Sequence, residues 1–90
     1  MSISKWSLGD SKIIERVTVD KHTASFEISC NFDSENTGVG VSKQSKGKLS
    51  FLGFVRPGEK LDHKVCQQGD IILIQSTDLP AKRVAGYISY

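Results

Sequence analysis

Two histidines and two cysteines are the residues of this chain with the clearest capacity for chemistry. His22, Cys30, His63 and Cys66 have the number and types of ligand found in structural zinc sites. His22 and Cys30 are, however, eight residues apart in a segment whose pattern predicts an extended strand, a separation of about 26 Å at 3.3 Å per residue. They cannot reach the same ion. We therefore expect no metal and no cofactor, and we expect buried, reduced cysteines in preference to a disulfide.

The glycine- and lysine-rich residues 38–48 suggest a phosphate-binding loop. That loop would need glycine where the chain has Ser42, and serine or threonine where it has Leu49. A strand also follows, whereas the loop must open a helix. The sequence contains no Gly-x-Ser-x-Gly nucleophile elbow either. We therefore predict that the protein is not an enzyme.

Positive charge is concentrated in the middle of the chain. The net charge is +2, and residues 42–64 contain six basic and two acidic side chains. Lysines beside aromatic rings are what a binder of single-stranded nucleic acid needs, because the ammonium groups neutralise phosphates while the rings stack on bases. The candidate basic patch consists of Lys43, Lys46, Lys48, Arg56 and Lys60. Phe54 and Tyr87 are the candidate stacking residues.

The elements that must position these residues are predicted to be β-strands. Residues 23–32 alternate apolar and polar side chains without interruption, which predicts a strand with one buried face. Residues 12–20 alternate less regularly, and residues 20–23 suit a tight turn. We therefore expect residues 12–32 to form an antiparallel hairpin.

Two further strands are predicted to be apolar on both faces. In residues 48–55, the alternation places Leu49, Phe51 and Val55 on one side and Leu52 and Phe54 on the other. Residues 71–74 are apolar throughout. Together these strands hold more apolar surface than one small core can bury, which favours an interaction surface.

The remaining segments admit alternatives. Leu61 and Val65 are spaced for one or two helical turns ended by Gly69. Residues 83–90 predict a last strand in which alternate residues share a face, namely Val84, Gly86, Ile88 and Tyr90. A short helix over residues 80–85 is the competing interpretation.

These patterns predict a single all-β domain over residues 1–90, with residues 1–11 as a candidate loose N-terminal arm. About six short antiparallel strands favour a small barrel of the oligonucleotide-binding or SH3-like type, and a two-layer β-sandwich is the alternative.

The sequence favours a non-enzymatic binding module for protein partners or for self-association, such as an inhibitor, an adaptor or an assembly subunit. Binding of single-stranded nucleic acid through the basic patch is the alternative function. No apolar run is long enough to span a membrane and no secretory signal begins the chain, so we expect a cytoplasmic protein.

Overall fold

The computed structural model describes residues 3–9, 12–23, 26–31, 38–77 and 83–90. The strands in this part of the chain are β1 (Ile3–Leu8), β2 (Ile14–Thr18), β3 (Phe26–Cys30), β4 (Val39–Ser45), β5 (Lys48–Val55), β6 (Lys60–His63), β7 (Ile71–Ser76) and β8 (Val84–Ser89). These residues contain no helix, so none that could cross a membrane. The expected helical turns before Gly69 are instead β6 and the loop after it, and residues 80–82 of the competing helix lie outside the described residues.

The strands form two antiparallel four-stranded sheets. The first sheet has the order β1-β8-β3-β6 and the second has the order β2-β7-β4-β5. Edge strand β1 contacts edge strand β2, and β5 contacts β6, so the sheets lie over one another with these edges adjacent. The all-β prediction is confirmed. The barrel prediction is wrong, because each sheet ends in edge strands that do not join the other sheet's ladder, and the sandwich alternative fits better.

The core lies between the inner faces of the two sheets. Strand β3 buries alternate residues, as its sequence pattern predicted, and β8 and β7 do the same. The buried apolar residues are Trp6, Leu8, Val19, Phe26, Ile28, Cys30, Val39, Val41, Val55, Cys66, Ile72, Ile74, Val84 and Ile88. Both cysteines are reduced and buried within this core, as expected.

Gly86 makes room in the core for Trp6. The two residues are direct partners in the β1–β8 ladder. A Cβ on Gly86 would lie 2.6 Å from the Trp6 ring and 1.9 Å from the carbonyl oxygen of Ser29. Since contacts this short do not occur, only glycine fits at this position.

The hairpin predicted over residues 12–32 is wrong. Strand β2 pairs with β7 in the second sheet, whereas β3 pairs with β6 and β8 in the first. The segment between them bonds instead to the loop before β7, through Val19 to Asp70 and Thr23 to Cys66. The chain therefore crosses from one sheet to the other where a local turn was expected.

The N-terminal segment is part of the sandwich over the residues that the structure describes there. Strand β1 pairs along its whole length with β8, and its Trp6 and Leu8 side chains are buried. Residues 3–8 of the candidate arm therefore form an edge strand, while residues 1–2 and 10–11 lie outside the described residues.

Candidate protein-binding face

The outer face of the second sheet is a regular array of side chains. Its positions follow from the ladders, because the residues that alternate with buried Ile72, Ile74, Val39 and Val41 must point outward. Reading across β2, β7, β4 and β5, the three rows are Ile14–Gln75–Gly40–Phe54, Arg16–Leu73–Ser42–Phe51 and Thr18–Ile71–Gln44–Leu49. We call these twelve residues the apolar face.

The apolar face carries a single charge, that of Arg16. Six of its twelve side chains are large and aliphatic or aromatic, and three of these are exposed on edge strand β5: Leu49 at 62%, Phe51 at 61% and Phe54 at 64%. Scattered exposed apolar residues are ordinary on a soluble protein, whereas a contiguous group of them marks a binding surface. The described residues thus contain one outer face suited to an apolar partner.

The outer face of the first sheet is different in character. Its ten outward residues are Ile3, Lys5, Ser7, Ala85, Tyr87, Ser89, Glu27, Ser29, Lys60 and Asp62. Four of the ten are charged, and Lys60 lies 3.7 Å from the Glu27 carboxylate. This face is an ordinary solvent-exposed surface. The sandwich therefore has one polar outer face and one apolar outer face.

A β-bulge brings Phe51 and Phe54 to the same face. Val41 pairs with Gly53 but the next residue, Ser42, pairs with Phe51, so Leu52 is an extra residue in β5. Gly53 adopts a φ of 145°, in the region that favours glycine. The prediction that Phe54 lies opposite Phe51 is therefore wrong, because simple alternation does not allow for the extra residue.

The two rings form an edge-to-face pair over Gly40. Their centroids are 5.0 Å apart with an interplanar angle of 64°. A Cβ on Gly40 would lie 3.7 Å from each ring, so the missing side chain leaves the edges of both rings open. Ring pairs of this geometry are favourable, and they offer a rigid surface that loses little entropy on binding.

The candidate basic patch is divided among several surfaces. Lys46 and Lys48 lie at the turn of the β4–β5 hairpin, and Arg56 follows β5. Lys43 points between the sheets, and Lys60 lies on the outer face of the first sheet. Phe54 and Tyr87 are both exposed but lie on opposite sheets. Of the candidate residues, Lys43, Lys46, Lys48 and Phe54 belong to one hairpin, but the Lys43 side chain points away from Phe54.

Lys43 links the two sheets at one end of the sandwich. Its ammonium donates hydrogen bonds to Nε2 of His63, at 3.1 Å, and to the carbonyl of Val65, at 3.2 Å. An ammonium has no acceptor, so the imidazole must be neutral to accept this bond. Burial lowers the pKa of His63 below its usual 6.5, the Lys43 charge lowers it further, and the opposing effects of Val65 and Asp70 are smaller.

Asp70 holds the same end of the sandwich together. This buried carboxylate accepts hydrogen bonds from the Ser45 hydroxyl, at 2.7 Å, and from the backbone N–H of Gln67, at 2.9 Å. Burial by itself raises the pKa of Asp70, but these bonds and the charges of Lys43 and Lys46 outweigh it, so the pKa is lowered overall. Burial raises the pKa of the neighbouring Cys66 thiol. These hydrogen bonds connect the β4–β5 hairpin to β6 and to the loop before β7. The residues whose side chains take part are Lys43, Ser45, His63 and Asp70, and their role is structural.

Within the described ranges, no group of three or more potential ligands is arranged to hold a metal ion.

Neither the family models nor the curated protein sequences include a match to this chain. Solved structures do match it. One is the nucleoplasmin-like N-terminal domain of Drosophila FKBP39, at 13% identity and a TM-score of 0.50, covering 96% of this chain and 84% of that one. This chain has the fold of the nucleoplasmin-like β-sandwich domains.

A second match is the Drosophila NLP core, at 8% identity and a TM-score of 0.51, with full coverage of both chains. Its structure is described as giving insight into pentamer formation and histone binding. At such low identity, these similarities show the shared fold.

Sequence reasoning found part of the apolar face. The two-sided strands over residues 48–55 and 71–74 were singled out for their excess apolar surface, and both contribute to it. It did not include Ile14 in a binding surface, although the alternation in residues 12–20 places Ile14 out of phase with Val17 and Val19. It also placed Phe54 on the wrong side of β5. The sequence property that indicated the apolar face was its composition, and composition does not show that β2 pairs with β7.

Proposed function

We propose that this protein is a non-enzymatic assembly subunit that associates with itself through the apolar face. The observation that carries this proposal is the contrast between the two outer faces: one charge among twelve positions on the second sheet, and four among ten on the first. Depletion of charge at the centre with aromatic enrichment is the composition that distinguishes protein interfaces from other surface.

One of the structural neighbours supports an assembly role. The Drosophila NLP core has the same fold and forms pentamers. We do not propose histone binding for this chain, because a basic partner requires a surface of complementary negative charge. This chain has a net charge of +2, and its apolar face contains no carboxylate.

The test compares Phe54→Glu with Ile3→Glu by sedimentation velocity over a range of concentrations. Both side chains are 64% exposed, but Phe54 lies on the apolar face and Ile3 on the outer face of the first sheet. We expect the wild type to associate, Phe54→Glu to weaken association at least about 30-fold, and Ile3→Glu to leave it unchanged. A wild type that stays monomeric at high concentration would refute the proposal, as would equal weakening by both substitutions.

Binding of single-stranded nucleic acid is a second candidate function, favoured by one observation. Lys46 and Lys48 lie at the turn of the same hairpin that exposes Phe51 and Phe54, so cations and rings share one element. If this function is correct, the protein binds a fluorescent oligothymidylate at 50 mM salt, and its affinity falls steeply by 200 mM. The double variant Lys46→Glu, Lys48→Glu should abolish binding, whereas the control variant Lys60→Glu should not. Absence of binding at 50 mM salt rules it out.

A further inference from the structure

The composition of the apolar face restricts the partner that can cover it. A surface with one charge among twelve positions gains most from a partner that is equally apolar, because a charged partner would lose its hydration without compensation. Among the described residues, the face that meets this requirement is the apolar face itself. This inference rests on the proposed function and specifies its geometry.

A surface that binds its own copy generates two-fold symmetry. In such an interface the same patch is used by both subunits, whereas a closed ring of more than two subunits needs two different, complementary surfaces on each. The other large outer face of this sandwich carries Lys5, Glu27, Lys60 and Asp62, which makes it a poor complement to an apolar sheet. The two unlike faces therefore favour a pair over a ring.

The array of rows also distinguishes between orientations of the two-fold axis. An axis across the strands, passing through the middle row, would place Arg16 against Arg16 of the partner subunit, and two like charges would be brought together as they lose water. An axis along the strands instead exchanges the two edges of the sheet. It places β2 of one copy opposite β5 of the other, with the rows in register.

We propose that two copies pack face to face about a two-fold axis parallel to the strands, with Arg16 of each copy over the Phe51 ring of the other. A guanidinium over an aromatic face is an attractive cation–π contact, which strengthens as the pair loses water. The same operation places Ile14 opposite Phe54 of the partner subunit and Thr18 opposite Leu49 of the partner subunit. The one charge on the face is thereby matched.

The size of the face sets the strength expected. Standard interfaces use about 20–30 residues from each side, so twelve residues and their borders make a small interface. We expect dissociation constants on the order of micromolar, within reach of light scattering and analytical ultracentrifugation.

Two glutamate substitutions on the same strand test the arrangement. Phe51 and Phe54 have nearly equal exposure, 61% and 64%, so neither substitution removes a core side chain. Phe54→Glu places a carboxylate against Ile14 of the partner subunit, whereas Phe51→Glu places one against Arg16 of the partner subunit, where an ion pair replaces the cation–π contact. We expect the Phe51→Glu dimer to be at least about tenfold tighter than the Phe54→Glu dimer, and to weaken with added salt.

The outcomes separate this inference from the proposed function. A wild-type mass of two chains, together with the expected ranking, supports both. A pentameric mass, or equal disruption by the two substitutions in a wild type that does associate, overturns the two-fold arrangement and leaves the proposed function standing. A wild type that remains monomeric overturns both. Far-UV circular dichroism of each variant confirms that the comparison is made between folded proteins.

Discussion

The contact between Gly86 and Trp6 shows how one residue can be fixed by its ladder partner. The indole occupies the space above Gly86, and a methyl group there would overlap both the ring and the Ser29 carbonyl. Overpacking a core costs about 1–3 kcal/mol, and contacts this short belong at the upper end of that range.

We therefore expect Gly86→Ala to lower the free energy of unfolding by about 3 kcal/mol in urea denaturation. Gly40→Ala is the matched control, since Gly40 is also a strand glycine but its added Cβ would meet only ordinary contacts of 3.7 Å. It should change stability by less than about 1 kcal/mol in either direction. Similar losses in both variants would mean that the Trp6 contact does not determine the identity of residue 86.

The contact between Lys43 and His63 predicts a pH dependence of stability. The folded pKa of His63 is lowered, so on acidification the unfolded chain binds a proton first, beginning near the usual pKa of 6.5. The stability that depends on neutral His63 is therefore present above about pH 6.5 and is lost as the pH falls towards the folded pKa. Asp70, whose pKa is also lowered, contributes a separate loss that begins below about its usual 3.8.

Urea denaturation at pH 7.5 and at mildly acidic pH measures this effect. Replacing the imidazole in His63→Gln should reduce the loss of stability between pH 7 and pH 5, and Lys43→Met should reduce it by removing the neighbouring charge. His22→Gln removes an exposed histidine elsewhere and should leave this loss in place. An unchanged pH dependence in His63→Gln would contradict the assignment.

At the scale of an element, the bulge in β5 decides which side chains reach the apolar face. Leu52 is the extra residue, so deleting it would leave the pairs Ser42–Phe51, Val41–Gly53 and Gly40–Phe54 as they are. The cost would be the packing of the half-buried Leu52 side chain against the core.

Deletion of Leu52 should therefore preserve self-association while lowering the free energy of unfolding by about 1–3 kcal/mol. Sedimentation velocity and urea denaturation measure the two effects on the same sample. A folded deletion variant that no longer associates would contradict this expectation. It would show that the bulge is required for the shape of the interface, in addition to determining which side chains of β5 point outward.

Across the whole molecule, the sequence was a better guide to the positions of strands than to their partners, although it did not predict β1 or β6. The bounds of β5 and the buried side of β3 followed from local alternation, which depends only on neighbours in the chain. The partner of β2 is β7, more than fifty residues further on, and only burial of both inner faces selects it. Leu61 and Val65 were compatible with a helical turn, but pairing of Leu61 with Ile28 in the β3–β6 ladder took precedence.

In the candidate site too, the features that depend on local sequence could be predicted, and those that depend on strand pairing could not. Aromatic exposure on residues 48–55 was expected from an excess of apolar residues, a matter of composition. The row that aligns Arg16 with Phe51 depends on three ladders at once and could not be read from spacing. The basic patch was proposed from nearness in sequence, and the structure distributes its lysines over different surfaces.

The burial of Trp6 has a practical consequence for optical measurements. It is the sole tryptophan of the chain, and it lies on the inner side of the first sheet, away from the outward side of the second. Its fluorescence should emit at short wavelength in the folded protein and shift to longer wavelength on unfolding, while remaining insensitive to contact between copies. Emission wavelength and hydrodynamic size can therefore be followed in one sample as independent reports of folding and of assembly.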